Sequence, residues 1–161
     1  MKANFLSSVA IAALCLGTVS PSLAEDWGAY SIVPVSAQAT VLEAVGAGTG
    51  EGTIISIGKP AGSANQKWTI TPKGDGLFSI KPTSSPELVL SAATGETRNG
   101  SAIVLEKDDN QPWQLWSLTK REDGSHSLTP KHAPGMGLDD LSCRRHWIAL
   151  GKTAEPRSLP W

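Results

Sequence analysis

Gln66-Lys67-Trp68 returns as Gln114-Leu115-Trp116, and Ser158-Leu159-Pro160-Trp161 follows in altered form, with the tryptophans 48 and then 45 residues apart. Ten residues before each Trp stands Gly58, Glu106 or Gly151, and after that position comes Lys59, Lys107 or Lys152. Just upstream, Ile55/Ile57, Ile103/Leu105 and Ile148/Leu150 place apolar side chains at every second residue, the period of a half-buried strand. Earlier in each unit the register persists at a spacing of 48: Gly28, Gly76 and Gly124; Ser31, Ser79 and Ser127; Pro34, Pro82 and Pro130; Leu42, Leu90 and Leu138. A coincidence at one position is common; a constant spacing over this many is a threefold internal repeat.

Each unit reads as four short strands. In the second unit they are expected at Leu77 to Lys81, Leu88 to Ala92, Ala102 to Lys107 and Gln114 to Thr119. Asp75-Gly76, Ser84-Ser85-Pro86, Asn99-Gly100 and Asp108-Asp109-Asn110 supply turn chemistry between them. Twelve strands in three copies, none able to bury its apolar face alone, predict an all-β, pseudo-threefold closed barrel capped by hairpins, the β-trefoil. Trp68, Trp116 and Trp161 are expected as core pillars, with Gln66 and Gln114 holding backbone groups of the turn before them. His126, aligned with Tyr30 and Phe78, is expected as a core or half-buried ring.

The composition agrees with this reading. Among 161 residues there are 16 Gly and 11 Pro but only 18% charged residues, which suits a turn-rich β protein. Lys and Arg total 14 against 15 Asp and Glu, so there is no basic footprint for nucleic acid. Residues 1–24 carry the marks of a signal peptide: Lys2, an apolar run from Val9 to Gly17, and Ser22-Leu23-Ala24 before a cut ahead of Glu25. The run is too short for the roughly 20 residues of a spanning helix, so stable membrane insertion is not expected. Removing 24 residues from 161 leaves 137, and losing Lys2 takes the net charge from −1 to −2. The domain is then residues 25–161, with units at about 25–72, 73–120 and 121–161, destined for secretion or the periplasm. Cys143 is left without a partner, so stability must come from packing rather than a disulfide.

The closing Gln-x-Trp, with a Gly-rich turn and an alternating strand before it, resembles the ricin-B-type β-trefoil lectins. Gly135-Met136-Gly137-Leu138-Asp139 is similar to that family's Leu-Asp strand, Ala64-Asn65-Gln66-Lys67-Trp68 to its Asn-Gln-x-Trp segment, and Glu51-Gly52-Thr53 to its Asp-Gly-Thr turn. The resemblance implies a non-catalytic carbohydrate-binding module with up to three shallow sites. Each would combine an acid after the second strand, a Gln and a stacking aromatic on the third, and an Asn before Gln-x-Trp. A carboxylate and an amide chelate neighbouring hydroxyls while an aromatic face covers the C–H patch of the sugar. No unit keeps the full set. The first has Glu43 and Asn65 but Ser56 and Gly58; the second has Ser91, Val104 and Glu106, with Trp113 in place of the Asn; the third has Asp139 but Ala149, Gly151 and Arg157.

Asp139, with Trp147 or Trp113 as the stacking ring, is the expected site, and Glu43 with Asn65 is a further candidate. Trp113 and Trp147 read equally well as plugs covering a hairpin. No cofactor is expected: His132 and His146 lack metal-ligand spacing, and His-Glu-x-x-His, Gly-x-Ser-x-Gly and Cys-x-x-Cys are missing. Asp108-Asp109 and Asp139-Asp140 are neighbours whose side chains diverge, so they read as solvated carboxylates rather than an acid–base pair. Two function classes stay open: a glycan-binding module, or a trefoil that binds protein through its loops, as a peptidase inhibitor or envelope interaction partner.

Overall fold

The computed structural model describes residues 29–140 and 148–152, with backbone alone for residues 139, 140 and 148–152. The expected signal peptide, Cys143, Trp147 and Trp161 lie outside the described residues. Among the described residues eleven strands run in order: β1 Ala29–Tyr30, β2 Val41–Ala44, β3 Ile55–Gly58, β4 Trp68–Gly74, β5 Leu77–Pro82, β6 Leu88–Ala92, β7 Ile103–Lys107, β8 Trp116–Lys120, β9 His126–Pro130, β10 Met136–Asp140 and β11 Ile148–Lys152.

The outer strands of the units form one antiparallel sheet in the order β1-β4-β5-β8-β9, and the inner strands form three hairpins, β2-β3, β6-β7 and β10-β11. The longest ladders of the sheet, β4-β5 and β8-β9, join the last strand of one unit to the first of the next. Pairing within the second unit, between β5 and β8, covers only Leu77↔Ser117 and Phe78↔Trp116. A single unit therefore lacks its strongest partners, which is why the repeat folds as a set. The turn between β4 and β5 is Asp75-Gly76, both left-handed at φ 53 and 71, the conformation of a tight two-residue hairpin turn.

The hairpins close the end of the barrel. Strands β3, β7 and β11 lie against one another pairwise, as a pseudo-threefold axis requires. The first two hairpins are also stitched by backbone bonds, Gly52 N–H to Leu105 O at 2.7 Å and Leu105 N–H to Thr53 O at 2.8 Å. Inside sit Leu42, Ile55, Trp68, Ile80, Leu90, Ile103, Leu105 and Trp116, each at 0% exposure. This is the β-trefoil, and its core repeats at the spacing of the sequence.

Two expectations change. Strand β8 begins at Trp116 rather than Gln114, because Pro112–Gln114 forms a 3-10 turn that lets the Gln side chain reach back. His126 is exposed, since it occupies the final rung of the β8-β9 ladder beside its turn, beyond the reach of the core.

Candidate functional site

The closing segment of each described unit is a small hydrogen-bonded clasp. Gln66 is 3% exposed and Gln114 is 2% exposed, so their amides must find partners within the protein. Gln114 Nε2 donates to Lys107 O at 2.7 Å, and its Oε1 accepts from the N–H groups of Asp109 and Gln111, both at 3.1 Å. Gln66 repeats the device, donating to Lys59 O at 2.9 Å and accepting from Ala61 N–H at 2.7 Å. The next aromatic then points inward. Trp68 Nε1 donates to Leu42 O at 3.1 Å and Trp116 Nε1 to Leu90 O at 2.9 Å, satisfying the indoles at equivalent places.

The three hairpins share one register: Val41 faces Gly58, Val89 faces Glu106 and Gly137 faces Gly151. Positions 43 and 58, 91 and 106, and 139 and 151 are thus diagonal neighbours on one face. In the first unit the acid is Glu43, and its carboxylate occupies the space where Gly58 has no side chain. Gln66 Nε2 donates to Glu43 Oε2 at 2.8 Å, and Asn65, 8% exposed, gives its Nδ2 to Ala44 O at 2.9 Å. Both candidates of that unit therefore meet at one corner and are tied to their own turn.

In the second unit the acid comes from the opposite strand. Glu106 stands where Gly58 does, and Ser91 where Glu43 does. The Ser91 hydroxyl donates to Glu106 Oε2, while Glu106 Oε1 accepts from the Thr94 N–H at 3.2 Å. Thr94 and Gly95 are left-handed at φ 47 and 74. That conformation is unusual for a β-branched residue, and strain of this kind gathers at binding sites. Gly95 lets the Trp113 ring approach: a Cβ there would lie 2.9 Å from Trp113 Cε3.

A cleft of about 370 Å³ opens at this point. Its walls include Glu106, Thr94 and Trp113 from the second hairpin and its clasp, Asp109 and Gln111 from the turn between, and Glu51 from the first unit. Trp113 is half-buried, one part packed on the core, and it contributes to the cleft wall. Glu51 is held by accepting the Lys107 N–H at 3.0 Å, so two units build the cleft. Beside it, Asp108 is ion-paired with Lys81 at 2.8 Å and Lys73 at 3.4 Å, rather than simply solvated. Burial opposes ionisation of Asp108, but the hydrogen bonds and charges of the two lysines outweigh it and hold the carboxyl below the usual Asp range.

The structure thus brings Trp113 together with Glu106. Asp139 lies on β10 in the place equivalent to Glu43; its side chain and Trp147 are outside the described residues. Sequence reading missed Glu106, Thr94, Glu51, Asp109 and Gln111 as one group. The available signal was the 15-residue interval shared by Glu43 with Gly58 and by Ser91 with Glu106, which marks a diagonal pair once the hairpin register is known. Among the described residues, no group of three or more His, Cys, Asp or Glu is placed to hold a metal. His132 instead lies against Glu96 O, with its Nε2 at 3.0 Å.

Residues 19–106, more than half of the chain, match the model of the ricin-type beta-trefoil lectin domain-like family. The chain belongs to that family. Solved structures share the fold. The designed threefold-symmetric protein ThreeFoil matches at TM-score 0.71 and 21% identity, over 79% of this chain and 89% of its own. The Rhizoctonia solani agglutinin matches at TM-score 0.68 and 20% identity, over 78% and 86%. The exo-beta-1,3-galactanase 1,3Gal43A from Clostridium thermocellum matches at TM-score 0.71 and 18% identity; this ricin-type domain spans 81% of its own length and 28% of that enzyme. No curated protein sequence matches the chain.

Proposed function

We propose that this ricin-type domain is an exported, non-catalytic carbohydrate-binding module whose working site is the cleft of the second unit. One observation carries the reading: the Trp113 ring and the Glu106 carboxylate line the same 370 Å³ space. An aromatic face covers the apolar side of a sugar ring, and a carboxylate accepts from paired hydroxyls. Glu106 already accepts two internal bonds, yet a carboxylate offers about four lone-pair directions, so it retains capacity for a ligand. Membership of a lectin-type family and the fold shared with an agglutinin support the reading. Export rests on the apolar leader ahead of Glu25. No helix of the described residues is long and apolar enough to cross a membrane.

A few hydrogen bonds and one ring on an open surface predict affinity of roughly millimolar per site. The test is a glycan array followed by calorimetric titration, with Trp113→Ala and Glu106→Gln as site variants. Binding that both variants reduce at least about tenfold supports the site. A folded protein that binds no glycan overturns the reading and leaves protein recognition through the loops as its successor.

A further inference from the structure

The carboxylates around the cleft point to the ligand's charge, an inference that rests on the second-unit site just described. Glu51, Glu106 and Asp109 face the cleft against one cation, Lys107. These acids come from three separate segments: the first-unit turn, strand β7 and the turn after it. They are not gathered into a metal-binding group, so they ring a space rather than a point. Two of them are oriented by protein donors, Glu106 by Ser91 and Thr94 and Glu51 by the Lys107 N–H. Such a wall is rich in acceptors, and its complement is a ligand rich in donors. Hydroxyls meet that need, and an ammonium meets it better because it supplies charge and up to three N–H donors.

We infer that the cleft selects amino sugars bearing a free ammonium, such as de-N-acetylated hexosamine units, and discriminates against uronic and other acidic sugars. Two excess negative charges at about 8 Å from an ammonium, at the dielectric of water, give an advantage of about fivefold in affinity. Near-physiological salt reduces that advantage to about twofold, because the Debye length then matches the separation.

The experiment titrates the whole protein with three probes: a glucosamine trimer, the same trimer fully N-acetylated, and trigalacturonate. A pH of about 6 keeps the sugar amine protonated. At about 10 mM salt the amine should bind about fivefold tighter than the acetylated trimer, and the uronate weakest. The ratio of amine to acetylated affinity should fall on adding salt and in Asp109→Asn, which removes one charge at nearly constant shape. Equal affinities for amine and acetylated trimers, or a ratio unmoved by Asp109→Asn, overturns the selectivity while leaving a sugar site in place. Amine binding that persists in Trp113→Ala overturns it as well, since attraction without the ring is general surface charge. A protein that binds none of the three probes overturns both this inference and the sugar-binding reading beneath it.

Discussion

Replacing Gln114 with Ala tests how the repeat holds its turn. The side chain makes three bonds to backbone groups, to Lys107 O, Asp109 N–H and Gln111 N–H, at 2.7, 3.1 and 3.1 Å. Each contributes about 0.5–1.5 kcal/mol net, and groups left unpaired in a buried turn raise the cost. The loss expected is therefore about 2–4 kcal/mol, or a fall in Tm of about 3–5 °C per kcal/mol for a domain of this size. Gln66→Ala should cost a similar amount, because Gln66 binds Lys59 O and Ala61 N–H in the same pattern. Gln114→Glu separates the two ends of the amide: it keeps the acceptor but sets a carboxylate against the Lys107 carbonyl. That carboxyl's pKa is raised on folding, so the variant should be least stable at neutral pH and recover as acid protonates it. Urea unfolding of all three variants across pH checks the account. Losses under about 1 kcal/mol for both alanine variants, or no acid recovery in Gln114→Glu, would refute the clasp.

Trp68→Ala and Trp116→Ala should each destabilise by about 3–5 kcal/mol in urea melts, because each ring is wholly buried and bonded at an equivalent carbonyl; a large asymmetry would argue against pseudo-symmetric packing. Asp108 is held below the ordinary Asp range, so its contribution is present above the unfolded-state value near about 3.9 and is lost as pH falls through the lower folded value; the stability gap between wild type and Asp108→Asn should close on acidification. Thr94→Gly should stabilise the fold by up to about 1 kcal/mol, since the left-handed cost of a β-branched residue exceeds the added chain entropy of Gly; a clear loss in thermal melts would deny the left-handed turn.

The fold was legible because it is written three times. Apolar alternation at Ile55/Ile57 and Ile103/Leu105 and the closing Gln-x-Trp each appear at a fixed spacing, so chance patterning in one unit is overruled by the others. Asp75-Gly76 named its own turn through the left-handed backbone it adopts. The site was less legible for a physical reason: a binding face depends on which side chains converge across a hairpin, and convergence is set by register, not by order along the chain. Glu106 reads as a lost aromatic in the family pattern, and Ser91 as a lost acid. Their meeting becomes visible only when Val89 is seen opposite Glu106. His126 was misplaced because alignment with Phe78 carries residue type but not depth, and the last rung of β8-β9 is shallow.

The first two hairpins place one carboxylate over the same corner from opposite strands, which predicts that the arrangements are exchangeable. Gly58 in the first unit tolerates Glu43 only because it has no side chain; a Cβ there would sit on the Glu43 carboxylate. Gly58→Glu alone should therefore displace Glu43, break its bond from Gln66, and bring two like charges together, at a cost of about 1–3 kcal/mol. Glu43→Ser alone removes one acceptor of Gln66 Nε2 but leaves its bond to Lys59 O, the counterpart of the bond from Gln114 Nε2 to Lys107 O. Combining the two recreates Ser91 and Glu106 in the first unit, and the shared register gives the new acid a hydroxyl to accept from. The double variant should thus be more stable than the sum of the single losses by about 1–2 kcal/mol in a double-mutant cycle followed by urea unfolding. Additive losses would mean that the corners are not equivalent, and that the crossing of the acid from one strand to the other is a feature of the second unit alone.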